Sequence, residues 1–421
     1  MQCSPPSRSD QTGRPKEWRP TPWVCQVGYD SGQVLLDSTI NDRNGHLGMS
    51  AVSDLGTRPM ALDDLIRPAV RALPAYSREV APAVPHPRHV RLDWNESPYG
   101  PSPKARAALA AFDQAQRYPE IDAYDLRVAL GAYIGAPADQ VVVGAGLDDV
   151  LKTMGTALLD AGDRVVVSEP TFGVYRPLFA RFGAEVVNAP LAEGFALDPE
   201  RVLATINGRT KLVVICNPNN PTGTVFDPAA VARIAAEAPC LVAIDEAYAE
   251  FAGVAHRPLM AQYGNVAVLR TLSKFAGLAG LRVGYGVFPD ALMPYLLRVM
   301  PEFGNIAGPS AAAARASLED LPYLDGVIRR IVADRDALAD DLRRLPGVEP
   351  VPSATNFLLV RLPVAAGPIV AGLAERGVYV RSFGRADLAD CLRVTISTPE
   401  ENGIFLQELT DLLKAAARQG S

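Results

Sequence analysis

Between residues 141 and 287 short, largely apolar runs alternate with turns and with Ala- and Leu-rich stretches of helical character. The apolar runs fall at 141–143, 164–167, 211–216, 241–244, 266–269 and 283–287. They are far too short to cross a bilayer and too uniformly apolar for strands with one wet face, so they predict buried strands in βαβ units. That pattern implies an α/β fold, a largely parallel sheet covered on both faces with right-handed crossovers. Functional groups in such a fold belong at the carboxyl ends of its strands.

Past Pro309 the pattern changes. Two long helical segments are expected near 310–319 and 322–345, shorter strands at 356–361, 378–381 and 391–397, a helix near 366–376 and a final helix at 400–418. Together they predict a smaller α+β domain over 310–421, beside a large domain over 116–309. Residues 61–115 read as an arm plus part of the small domain, beginning with the amphipathic stretch Leu62 to Leu73 and a Pro-rich connector to Pro87. Residues 1–60 are Pro, Ser, Gly and Asn without sustained apolar spacing, and are expected to be a disordered extension, with Met49 or Met60 a candidate start. Asp10, Glu17, Asp30, Asp37, Asp42 and Asp54 balance its basic residues, unlike a transit peptide.

Charge and cysteine usage narrow the partners. A net charge of -6 and a pI near 5.4 provide no general attraction for nucleic acid or anionic membranes, so bound anions must meet local Arg and backbone N–H groups. The five cysteines are scattered without CxxC spacing, which argues against a disulfide framework and a zinc site and suits a reducing cytoplasm.

Five motifs carry the chemistry. In VVVGAGLDDVLKTMGTAL (141–158) a strand runs through Gly144 and Gly146 into a helix whose N-terminus can seat a phosphate; taken alone, the motif reads more readily as an ordinary strand-to-helix turn. EPTFGVY places Phe172 just past a strand, where an aromatic stacks on a planar ring or packs in the core. In NPNNPTG (217–223) turn chemistry explains Pro218, Pro221 and Gly223, but leaves Asn220 as turn former or ligand. Asp245 ends the run LVAI, and a carboxylate at the mouth of a buried strand needs a partner: a cationic ring nitrogen, or the N–H groups of a helix over 246–251. Tyr248 follows three residues on. Lys274 sits in the apolar, Gly-rich stretch TLSKFAGLAGLR, where desolvation and nearby positive charge would lower its pKa as imine formation requires. Ser273 and Arg282 can meet a phosphate through charge-assisted hydrogen bonds.

Taken in order, these motifs resemble the fold-type I pyridoxal-5′-phosphate (PLP) dependent transferases, and within them the histidinol-phosphate aminotransferase family. The resemblance spans about 62–415 and rests also on LDWNESPYGPSP (92–103), RYP (117–119), TNFLLVR (355–361), VYVRSF (378–383) and CLRVTIS (391–397). It implies that Lys274 forms a Schiff base with PLP, that Asp245 keeps the pyridine nitrogen protonated, and that Asn220 and Tyr248 bond the phenolate oxygen. Phe172 would stack on the ring, where the family commonly carries Tyr. Leu147 and Asp148, after Gly146, would hold the phosphate with Ser273 and Arg282. Tyr118 would reach the phosphate of a neighbouring subunit's cofactor, implying a homodimer with shared sites. Arg393 and Arg381 would bind anionic groups of the substrates, and Tyr76 would close over them, although the Pro-Gly that commonly follows it is absent.

The substrates so implied are glutamate as amino donor and imidazole acetol phosphate as the phosphorylated keto acceptor. An aromatic-amino-acid aminotransferase or a threonine-phosphate decarboxylase would share this scaffold. A PLP-fold transcription regulator would need a helix-turn-helix ahead of the fold, and residues 1–60 lack the spacing for one.

Overall fold

A computed structural model describes residues 62–73, 89–301 and 304–419. The extension 1–60 and Tyr76 lie outside the described residues. Strand β1 (Val90–Arg91) is followed by β2 (Val141–Ala145), β3 (Arg164–Val167), β4 (Glu185–Asn188), β5 (Thr210–Cys216), β6 (Leu241–Asp245), β7 (Val266–Thr271) and β8 (Val283–Val287). Seven of these form one sheet in the order β2-β8-β7-β6-β5-β3-β4. β3 to β7 pair in parallel, and β8 runs antiparallel between β2 and β7.

The uniform apolarity of these runs has a direct cause. On β5, Val213 and Ile215 pack with Val166, Val242 and Ile244, while Leu212 and Val214 point the other way onto Val165, Val167 and Leu241. Both faces are dry, so neither set of alternating positions is polar. Each such side chain contributes roughly 1.5–3 kcal/mol of burial. The strand order reverses at β3: the chain steps outward to β4 and returns to lay β5 on the other side. A reversal of this kind opens a crevice at the carboxyl ends of the two strands.

The remaining strands are β9 (Glu349–Pro350), β10 (Phe357–Arg361), β11 (Val378–Tyr379), β12 (Arg381–Ser382) and β13 (Cys391–Thr395). Four make an antiparallel sheet in the order β12-β13-β10-β9, flanked by helices Leu321–Arg343, Ala366–Glu375 and Pro399–Gln419. β1 pairs in parallel with β11, and beyond it Leu92 O accepts from Thr395 N–H at 2.8 Å, so residues 90–95 run beside the C-terminal strands.

Four expectations need correction. β4 was not anticipated, because EVVN is a four-residue edge strand with partly exposed side chains and no clean periodicity. The single strand expected over 378–381 is two strands in different sheets, β11 and β12. The amphipathic stretch 62–73 forms only a 3-10 turn and a four-residue helix, with Leu62, Leu65, Ile66 and Val70 exposed. The helix after Asp245 begins at Ala249, with Tyr248 in the N-cap position, so Asp245 does not cap it.

Candidate active site

The crevice widens into a cavity of about 850 Å³, walled by the ends of β3, β5, β6 and β7 on one side and by β12 and β13 on the other. Lys274, Asp245, Tyr248, Asn220, Phe172, Leu147, Asp148, Ser273, Arg282, Arg381 and Arg393 all line it, and Gly146 lies behind the guanidinium of Arg282. Tyr118 does not line it; the residue is 82% exposed.

One end of the cavity is built to meet an anion. Helix Leu147–Leu158 begins there, so the N–H groups of Leu147 and Asp148 have no preceding helical turn to supply an acceptor, while Asp149 N–H bonds Gly146 O at 3.1 Å. Gly146 turns the chain with φ +83° and ψ 166°, a conformation closed to residues with a Cβ. A Cβ at that position would stand 2.4 Å from Arg282 Nη2. The helix start also passes so close to β8 that a Cβ on Gly284 would lie 2.2 Å from Leu147 N. Arg282 Nη2 sits 3.7 Å from Asp148 Oδ2, and the hydroxyl of buried Ser273 lies 3.0 Å from Thr271 Oγ1.

At the floor, Asp245 is 3% exposed and accepts from Tyr175 OH into Oδ2 at 2.5 Å and from Ala247 N–H into Oδ1 at 3.0 Å. Burial pushes its carboxyl up to about 6, and the two hydrogen bonds pull against that rise. Lys274 Nζ donates to Trp94 O at 2.9 Å. Its ammonium is brought down to about 8, by desolvation first and then by the charges of Arg393 and Arg282. The side chain lines the cavity and the residue is partly buried.

Tyr248 OH accepts from Asn95 Nδ2 at 2.9 Å and from Asn220 Nδ2 at 3.4 Å, which leaves its own hydrogen to donate. Burial raises it to about 12, against the lowering influence of Arg393 and Asn95. Asn220 Oδ1 in turn accepts from Arg393 Nη1 at 2.6 Å, and Arg393 Nη2 donates to Asp93 O at 2.5 Å. Arg393 stands directly opposite Arg381 across the β12–β13 ladder, so two guanidinium groups start from one face of the sheet.

Behind the floor, buried charge braces the strand ends. Glu246 accepts from His256 Nδ1 at 2.8 Å and from Arg270 Nε at 2.7 Å, and His256 Nε2 then accepts from Asn217 Nδ2 at 3.1 Å. Burial alone would raise the Glu246 carboxyl, but the His256 hydrogen bond and the Arg270 charge carry it below its ordinary value. The network ties the residue after Asp245 to the NPNNPTG turn and to β7, which leads to Lys274.

Tyr175, Asn95 and Asn217 took no part in the sequence reading. Tyr175 lies three residues after Phe172 in EPTFGVY, and Asn95 lies within LDWNESPYGPSP. Both were visible as motif letters, but their partners Asp245 and Tyr248 are 70 and 153 residues away.

Comparison with known proteins is consistent throughout. The family described as aminotransferase class I and II matches residues 87–409. The chain is 40% identical over 372 residues to a histidinol-phosphate aminotransferase of Roseiflexus castenholzii, covering 84% of this chain and 100% of the relative. It is 38% identical over 325 residues to histidinol-phosphate aminotransferase 1 of Archaeoglobus fulgidus, covering 77% and 99%. The crystal structure of histidinol-phosphate aminotransferase from Sinorhizobium meliloti in complex with pyridoxal-5′-phosphate superposes with a TM-score of 0.74 at 29% identity, over 78% of this chain and 91% of that one.

Proposed function

The chain belongs to the aminotransferase class I and II family, and from that premise we propose that it is a histidinol-phosphate aminotransferase. It transfers an amino group between glutamate and imidazole acetol phosphate with PLP as cofactor. The observation that carries this function is the convergence on one cavity of an amine with a lowered pKa, a buried carboxylate and two adjacent arginines.

The residues present fit PLP. The space between Gly146 and Arg282 is closed even to a Cβ, and the backbone N–H groups beyond it suit a phosphate. Asp245 is a buried carboxylate whose proton affinity would be lowered by a cationic ring nitrogen. Leu147, Asp148, Ser273 and Arg282 would hold the phosphate, Phe172 the ring face, and Asn220 and Tyr248 the phenolate oxygen. Bound PLP supplies a sink for the electron pair left when the substrate loses its α-proton.

Lys274 would hold the cofactor's aldehyde carbon and, once displaced by the incoming amine, move the α-proton. A pKa of about 8 instead of 10.5 enlarges its neutral fraction at pH 7 roughly 300-fold. With its carboxyl at about 6, Asp245 is mostly anionic at neutral pH and would hold a proton on the ring nitrogen. Arg381 and Arg393 would take the carboxylates of glutamate and the phosphate of the acceptor, since a planar guanidinium suits both.

The exposed apolar run Tyr118, Ile121, Tyr124 and Val128 supports a homodimer in which Tyr118 completes the partner's phosphate site. The division of the strands into a seven-stranded sheet that ends with Val283–Val287 and a four-stranded sheet that begins with Glu349–Pro350 supports a boundary near residue 310 between the large and small domains. Among the described residues no helix is long and apolar enough to cross a membrane, and the buried free thiols of Cys216, Cys240 and Cys391 suit the cytoplasm.

The test has two parts. Borohydride treatment of PLP-loaded protein should leave a pyridoxyl mass on the Lys274 peptide, and its absence there overturns the assignment. Histidinol phosphate should then be the preferred donor over phenylalanine. Faster turnover of phenylalanine, or CO2 release from O-phosphothreonine, would replace the proposed substrate.

A further inference from the structure

Tyr175 opens the short helix Tyr175–Ala180, is 1% exposed, and has no part in the chemistry above. Its hydroxyl donates to the Asp245 oxygen that Ala247 N–H leaves free, so the two donors between them fix both carboxylate oxygens. Asp245 is confined on its strand as well, paired in register with buried Cys216 of β5. The same tyrosine ring meets Phe172 edge to face, with centroids 5.4 Å apart at 88°. Rotation of the Asp245 carboxylate would break the Tyr175 bond, and displacement of the Tyr175 ring would tilt Phe172.

We propose that Tyr175 is a positioning residue for the reaction, setting at once the carboxylate that faces the cofactor's ring nitrogen and the aromatic ring that faces its flat surface. Resting on the PLP assignment above, this makes Tyr175 the link between two contacts to the same cofactor ring. Donation to Oδ2 also opposes the effect of burial on Asp245, so loss of the hydroxyl moves that carboxyl further upward and leaves less anion at neutral pH.

The experiment compares full-length wild-type and Tyr175→Phe apoproteins for equilibrium binding of two probes. One is PLP. The other is its carbocyclic analogue, with C–H in place of the ring nitrogen, which has no N–H for Asp245 to hold. Tyr175→Phe should bind PLP about tenfold more weakly, the scale of one charge-assisted hydrogen bond, while binding of the analogue changes less than about twofold or tightens. In an Asp245→Asn background the same substitution should change PLP affinity less than about twofold.

Equal losses for both probes, no loss for PLP, or a full loss in the Asp245→Asn background would each overturn the proposal. Wild-type protein that fails to bind PLP would instead overturn the functional assignment itself. Should Tyr175→Phe not fold, 3,5-difluorotyrosine at position 175 keeps the ring and makes the hydroxyl a stronger donor. Preference for PLP over the analogue should then rise, and an unchanged preference refutes the positioning role.

Discussion

Replacement of Gly146 by Ala should separate the phosphate seat from the rest of the site. At φ +83° and ψ 166° the backbone occupies a region essentially restricted to glycine, so a Cβ there costs about 1–3 kcal/mol of stability. The Cβ would also lie 2.4 Å from Arg282 Nη2 and 2.8 Å from its Cζ. A guanidinium is the far end of a flexible side chain, so Arg282 swings away and the β-strand behind it stays in place. With the phosphate seated as proposed, swinging away would remove charge-assisted hydrogen bonds to it, a loss of about 1.5–3 kcal/mol, or roughly 10- to 100-fold in affinity. Equilibrium dialysis of apoprotein against PLP and against pyridoxal, which lacks the phosphate, reads the difference. Gly146→Ala should weaken PLP by that factor and pyridoxal by far less. Gly208→Ala, where a Cβ meets nothing within 4 Å, should leave both within about 0.5 kcal/mol of wild type. If Gly146→Ala weakens PLP and pyridoxal alike, or neither, the phosphate is not held by Arg282 and the N–H groups that follow Gly146.

Asp245 binds its proton more tightly in the folded state than its ordinary value of 3.8 allows, so its ionisation opposes folding as pH rises from about 4 to 6, and the penalty is complete above that. Asp245→Asn apoprotein should escape a loss on the order of 3 kcal/mol; parallel urea titrations of the two proteins across that range would refute this by showing the same slope. Arg270→Met removes the buried partner of Glu246 and Glu250 and should cost about 3–5 kcal/mol in urea unfolding, an expectation that an unchanged midpoint contradicts. Arg393→Ala deletes the donors to Asn220 Oδ1 and Asp93 O and the cation opposite Arg381. KM for glutamate and for the phosphorylated substrate should both rise by about 10- to 100-fold, and steady-state kinetics with either KM unchanged would remove Arg393 from that half of the cycle.

The sequence alone determined the parts of this protein that are local. A run such as LVVIC must be a strand dry on both faces, because its neighbours on each side of the sheet are apolar too. Motif order likewise marked Lys274, Asp245, Asn220, Arg282 and Arg393; Lys274 and Asp245 are also ill-suited to their apolar surroundings unless they meet a partner. Only the tertiary structure decided which of them share a wall. Tyr175 reaches Asp245 across 70 residues, Asn95 reaches Tyr248 across 153, and Arg393 reaches Asn220 across 173. The strand order reversal at β3 and the antiparallel pairing of β12 with β13 make those meetings possible. The edge strand Glu185–Asn188 and the division of 378–382 between two sheets also escaped the sequence, since partly exposed short strands are held by the neighbour they pair with. Periodicity records what a residue's own face is buried against; hydrogen bonds between distant segments depend on how the whole chain is wound, and no local pattern encodes that.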